Sequence, residues 1–308
     1  TRFLYDAKSG VDKYQADFLY QGIAIKPGQI TESRSYLFAG AKVVTLLDDY
    51  RDNLGIVHFD LSVDFGWFYF LTKPIFYALH YLNGMFGNFG LAILILTVGI
   101  KLVFFPLANK SYVSMAKMRK LQPEMLKLRE RFKEDKQRLN QEMMALYRKE
   151  GANPASGCLP IVIQIPVFFA LYKVMFVSIE MRHAPFYGWI KDLSASDPTS
   201  ILNLFGIMPW DVPALGPLQI ISLGIWPIVM GLTMVLQQRL NPQPTDPVQA
   251  KIFLFMPLMF MFLLAQFPAG LVIYWTWNNV LSMAQQMFIM HRAGVPIGRN
   301  PKPKPKTS

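Results

Sequence analysis

Cysteine is almost missing from this chain: Cys158 is the only one in 308 residues. A lone thiol excludes an internal disulfide and any cysteine-cluster metal site. Histidine is scarce as well. His58, His80, His183 and His291 are scattered, and no second ligand type stands at metal spacing beside them. H-E-x-x-H, G-x-S-x-G, a P-loop and paired aspartates inside an apolar run are all absent. The reading is of a protein that is not an enzyme and uses neither cofactor nor metal. The chain opens on Thr1 with no methionine and no signal-like apolar stretch, as expected of a fragment or processed form whose anchor helix lies upstream.

Acidic residues are absent from the long apolar runs, and those runs dominate the composition, which is 52% hydrophobic. They fall in blocks separated by charged stretches, a pattern for membrane spans rather than one soluble core. The blocks cover residues 89–107, 158–177, 218–236, 252–267 and 269–290, giving five expected spans. The fourth is the shortest.

The net charge of +11 is unevenly placed. Basic residues crowd 110–149 and the tail 291–308, whereas 180–217 holds only Arg182 and Lys191 against Glu180, Asp192, Asp197 and Asp211. Positive-inside reasoning puts the first two segments in the cytoplasm and 180–217 outside. An odd number of spans then leaves the N-terminal region outside too.

Residues 1–64 are mixed and turn-rich. The alternating pieces at 33–38 and 58–63 are expected as strands, with a short helix over 41–50. Residues 65–87 are aromatic-rich, interrupted by Pro74, and carry Lys73 and His80. They suit an amphipathic helix at the outer interface, with Trp67, Tyr69, Tyr77 and Tyr81 at headgroup depth. A tilted sixth span is the competing reading, and it would break the charge topology.

Residues 111–150 are charged and helical in pattern. Met118, Leu121, Met125, Leu128 and Phe132 recur at three-four spacing, as do Leu139, Met143 and Leu146. Glu134 and Asp135 between them suit a turn, so two antiparallel helices are expected, with Pro123 bending or restarting the first. Such a hairpin either merely connects two spans or serves as a docking or gating element. In the second span, Pro160, Gln164 and Pro166 predict an irregular first half. The stretch 267–270 reads as a tight outer turn. On the last span Tyr274, Asn278 and Ser282 form one polar stripe at steps of four, with Trp275 and Asn279 beside it.

Lys101 stands inside the first apolar run. A lysine near a helix centre costs about 3 kcal/mol on insertion scales, so it either snorkels to the headgroups or faces a partner or water. Thr97 shares its helix face, and the neighbouring spans offer Gln164, Tyr274, Asn278 and Ser282. No intramembrane carboxylate is available to neutralise it. That argues against a carboxylate proton relay and for a wet pocket whose charge awaits a negative partner from another molecule.

Several ordered motifs carry a family resemblance: Ser114–Arg119 (SMAKMR), Gln122-Pro123, Lys136-Gln137-Arg138, 141–147 (QEMMALY), Asn153-Pro154, 157–160 (GCLP) and 267–272 (FPAGLV). Together they resemble the YidC-type membrane protein insertases, most closely the bacterial branch. The resemblance runs from about Asp64 to the tail, and residues 1–64 look like the end of that branch's periplasmic β-sandwich.

The resemblance implies an all-α polytopic membrane protein. Its five-helix core would enclose a hydrophilic groove open to cytoplasm and lipid, with a mobile cytoplasmic hairpin and an outer interfacial helix. Lys101 stands where most bacterial members have arginine. Thr97, Gln164, Phe168 and Asn278 match the groove, and Tyr274 with Trp275 match an aromatic pair in which a second tyrosine is common. The implied partners are nascent membrane proteins, the lipid bilayer, the Sec translocon, and the ribosome and targeting factors through hairpin and tail. No nucleic-acid sequence is read. Two other classes were open on the residues alone. A small-molecule transporter is disfavoured by the absence of an internal repeat, and an assembly chaperone would act through Met- and Phe-rich faces.

Overall fold

The computed structural model describes residues 2–6, 12–19, 22–153, 159–210, 212, 221–241 and 247–294. The chain divides into two compact units, Thr1–Ala41 and Lys42–Ser308. In the first, β1 (Arg2–Asp6) pairs antiparallel with β2 (Lys13–Asp17), Leu4 opposite Gln15. Both expected strands are corrected. Residues 33–38 lie in coil, exposed apart from Phe38, and no strand among the described residues pairs with them. Residues 59–62 form a 3₁₀ turn, entered through His58 at φ 60°, which no extended strand tolerates.

The second unit holds nine α-helices among the described residues: α1 (Val44–Leu54), α2 (Tyr69–Phe86), α3 (Phe89–Val103), α4 (Phe105–Arg131), α5 (Lys136–Lys149), α6 (Leu159–Val177), α7 (Ile225–Leu240), α8 (Pro247–Leu263) and α9 (Ala269–Arg292). The expected short helix and interfacial helix correspond to α1 and α2. The expected end of the β region, 64, lies inside this second unit, because α1 and the 3₁₀ turn at 59–62 pack together.

The side chain of Asn88 starts α3 by accepting from the Leu91 amide at 3.0 Å. The helix stops at Phe104, and α4 departs at 69°. Pro106 stands in the first turn of α4, where its missing N–H and fixed φ suit a helix start. The apolar run 89–107 is thus two helices rather than one. Further on, α4 runs unbroken through Pro123, so the helix does not restart there. Asp135 caps α5, accepting from the Arg138 amide at 3.0 Å, so the turn at Glu134-Asp135 lies where expected.

The helix α9 is the hub, packing against α3, α4, α6 and α7. Its first turn begins after Pro268, and two of its orphan N–H groups are satisfied from another loop. Ala269 N donates to Ala195 O at 2.7 Å and Gly270 N to Leu193 O at 3.0 Å. Gly270 suits the site, since a Cβ would crowd the Leu193 carbonyl at 3.2 Å, the acceptor of its own N–H. The same loop starts α7: Asp197 accepts from Trp226 N at 2.9 Å and Thr199 Oγ1 from Ile225 N at 2.9 Å.

By length and composition, one described helical stretch, Val248–Gln266, can cross a membrane alone; α3 with α4 passes only as a bent pair. Val162–Val177 is apolar but shorter, and α6 is regular from Leu159 rather than irregular in its first half. The motif residues 154–158, the start of the third apolar block at 218–220 and the tail 295–308 lie outside the described residues. So does Cys158.

Candidate functional site

Lys101, three residues before the break at Phe104, is half-buried and turns its ammonium toward α9. Nζ donates to Ser282 Oγ at 2.7 Å, and Ser282 Oγ donates to Asn278 O at 2.7 Å. Tyr112, from the first turns of α4, is buried and lines a cleft beside the same cation. Among the described residues no salt bridge involves Lys101. Its positive charge is held by neutral groups alone.

A cleft opens beside it, lined by Lys101, Ser111, Tyr112, Gln164 and Gln285 among apolar side chains of α3, α4 and α6. Its volume is about 40 Å³, room for roughly three or four waters at the 10–15 Å³ each requires. The cation thus stands at a small, mixed cavity rather than at a broad polar channel.

The other expected site residues divide clearly. The Gln164 amide donates to the Tyr274 hydroxyl, joining α6 to α9 behind the cleft. Phe168 meets Trp275 edge-on at 4.9 Å, and Trp275 lies 5.8 Å from Phe260 of α8, so three helices are bridged by aromatic contact. Trp275 also packs on Met230, Leu264 and Val272, a packing role. Thr97 is buried and donates to Ile93 O at 2.7 Å, so its hydroxyl is spent within its own helix. Asn278 contributes its main-chain carbonyl to the Lys101 network, while its side-chain Oδ1 is buried without a partner. Lys101 and Gln164 line the cleft; Thr97, Phe168, Tyr274, Trp275 and Asn278 do not.

In the hairpin, Leu121, Met125, Tyr147 and Ala152 are buried together, with Met118, Met143 and Leu146 packed around them. Leu128 and Leu139, nearer the tip, are half-buried and outside that cluster. At the base, Arg119 is buried and donates to Leu240 O at 3.3 Å, a cation at the C-terminal end of α7. Gln286 donates to the same carbonyl at 3.1 Å and to Asn241 Oδ1 at 3.2 Å.

Sequence reasoning missed Tyr112, Gln285 and Arg119. Tyr112 was hidden in the start of the hairpin. Gln285 lies three residues beyond Ser282, so the stripe counted at steps of four ended before it. It also treated Lys73 as mere polarity on an interfacial helix. In the structure Lys73 Nζ lies 2.6 Å from Asp60 Oδ2, which also accepts from the Tyr69 hydroxyl at 2.7 Å, and Arg51 stands 3.6 Å away. The ammonium of Lys73 and the phenol of Tyr69 hold the Asp60 carboxyl at about 2, well below the ordinary carboxylate range. His80 is exposed and stacks on Phe76 at 6.0 Å. No group of three or more metal-type ligands occurs among the described residues.

Comparison with known proteins identifies the family. The family described as 60Kd inner membrane protein matches residues 81–294, and that described as YidC periplasmic domain matches 1–78. A membrane protein insertase YidC of Methylobacterium nodulans is 58% identical over 92% of this chain and 46% of its own length. The protein of the same name from Rickettsia conorii is 55% identical over 94% of this chain and 51% of its own. The chain spans about half the length of these relatives. A crystal structure of an active YidC insertase with its first transmembrane domain resolved shares the fold, at TM-score 0.57 and 24% identity, over 80% of this chain and 53% of that one. The chain belongs to the 60Kd inner membrane protein family, in its bacterial YidC branch.

Proposed function

We propose that this chain is the membrane-embedded part of an insertase and assembly chaperone for nascent membrane proteins, in the bacterial inner membrane. The observation that carries the reading is Lys101: a half-buried cation at a small cleft, bonded only to neutral groups. In this reading α3, α6, α7, α8 and α9 are the five core spans and α2 lies in the outer interface. The N-terminal region faces the periplasm and the C-terminus the cytoplasm.

The short, often acidic, outer segment of a substrate enters from the cytoplasmic side. Lys101 and cleft water offset the cost of dehydrating it, while the hydrophobic segment passes sideways into lipid. Burial of that segment, at about 25 cal/mol per Å², supplies the driving force without a nucleotide. The hairpin α4–α5 and the basic tail reach the ribosome and targeting factors, and the Sec translocon is a partner for larger substrates.

Lys101→Glu tests this reading in cells depleted of the native protein. Insertion of a single-span substrate with an acidic outer segment is expected to fall severalfold. Normal insertion would sink this role for the charge. A second activity, chaperoning of substrate helices, is supported by the exposed face of α8, where Ile252, Leu254, Phe255, Leu258 and Met259 are uncovered.

A further inference from the structure

Buried polar groups are nearly always paired, so an orphan marks a place where a partner is missing. Among the described residues five side chains hold a buried polar atom without a hydrogen bond, Asp48, Glu180, Asn278, Gln285 and Gln286, although Asp48 Oδ1 has an ion partner in Arg51 at 3.1 Å. Four of the atoms are oxygens. The single donor is Nε2 of Gln285, and Gln285 lines the cleft of Lys101.

The two residues meet through Ser282. Lys101 Nζ stands 2.7 Å from Ser282 Oγ, and Gln285 is three residues further along α9. Residues three apart on a helix are neighbours on one face, with Cβ atoms about 5–6 Å apart. Nothing acidic shares the cleft lining.

A carboxylate needs donors at two oxygens, and a lysine is a point charge without the planar fork that serves both. One of the three ammonium donors is already turned to Ser282. A carboxylate seated on Lys101 alone would leave its second oxygen to the few waters the cleft can hold. We propose that Gln285 is the second donor of a carboxylate-binding subsite. Its amide turns its NH₂ into the cleft when the acidic side chain of a substrate's outer segment arrives. The terminal torsion of glutamine is broad, so this turn is a small motion. Gln285 thereby does the work of the missing half of a guanidinium and selects aspartate or glutamate over their amides. The inference rests on the reading of the chain as an insertase.

The test uses the full-length protein reconstituted in proteoliposomes. Its substrates are two single-span proteins differing only by Asp or Asn in the outer segment. Wild type and Lys101→Gln calibrate the assay: the ratio of Asp to Asn insertion should fall about tenfold in Lys101→Gln. Gln285→Met, similar in volume and without donors, should lower the same ratio about five- to tenfold. Gln285→Glu should reverse the preference, which keeps the test open if the methionine variant is inactive on both substrates. An unchanged ratio in both Gln285 variants, with the ratio still falling in Lys101→Gln, overturns the subsite and leaves the insertase reading intact. An unchanged ratio in Lys101→Gln overturns the reading beneath it.

Discussion

Arg119 of α4 and Gln286 of α9 donate to one carbonyl, that of Leu240 at the end of α7, at 3.3 and 3.1 Å. A cation and an amide on one acceptor pin three helices at a single point, and the cation also meets the negative end of the α7 dipole. Truncating Arg119 leaves the carbonyl with Gln286 alone. Arg119→Ala and Gln286→Ala should each destabilise the protein by about 1–2 kcal/mol, with a coupling of at least about 0.5 kcal/mol between them. A double-mutant cycle of thermal unfolding in detergent measures it. Strict additivity would mean that the two donors do not share a load.

Gln164 and Tyr274 form a closed pair between α6 and α9. Tyr274→Phe removes the hydroxyl that Gln164 bonds and should cost about 0.5–1.5 kcal/mol, because the half-buried amide loses its protein partner beside a cleft that holds water. Gln164→Leu combined with Tyr274→Phe should recover part of that loss. Unfolding midpoints of the three variants decide it, and a double variant worse than the sum would contradict the pairing.

The cluster around Asp60 predicts a pH dependence. An unfolded aspartate titrates near 3.8 and this one near 2, so the folded state holds the charged form more tightly. Its contribution, about 1–2 kcal/mol, is complete above roughly pH 4 and is lost as the pH falls from there through 2. Asp60→Asn should therefore lower the melting temperature at pH 7, and the gap from wild type should close towards pH 2. A gap that stays constant with pH would place the effect in packing instead.

Gly90 is buried where the Phe186 ring lies against α3, and a methyl there would overlap that ring. Phe186 in turn packs in the cluster of Ile190, Leu193, Ala269 and Ile273 and sits 6.3 Å from Trp226. Gly90→Ala should cost about 1–3 kcal/mol through overpacking. Adding Phe186→Leu should return some of it. Thermal unfolding of single and double variants checks the sign.

Much of the helical frame was legible because its signals are local. The turn at Glu134-Asp135 was readable from those two residues, and Asp135 caps the helix it immediately precedes. The break at Phe104 was not legible: hydropathy continues across 102–105, and Pro106 is as compatible with a helix start as with a kink. The strand expectation for 58–63 failed because alternation cannot register that Asp60 is drawn into a turn by Lys73 and Tyr69. Lys101 and the stripe of Tyr274, Asn278 and Ser282 were visible as separate oddities. That Ser282 is the residue on Lys101, and that Thr97 is spent on Ile93, depends on how α3 and α9 pack.

The 69° break has a mechanical side. Phe104 closes α3 through its N–H to Ile100 O and opens α4 through its carbonyl to Ala108 N, so a single residue is the joint between the two helices. With 27 residues, α4 is a lever about 40 Å long, and a 10° turn at Phe104 would sweep its far end by about 7 Å. Arg119 and Lys120, bonded to Leu240 O and Ala293 O, hold the lever near its midpoint. While that hold lasts, the same flexing is confined to the outer half and moves the end only about 3 Å. The joint beside Lys101 is thus decoupled from the hairpin tip for as long as Arg119 and Lys120 stay on their carbonyls and α4 stays packed on α9.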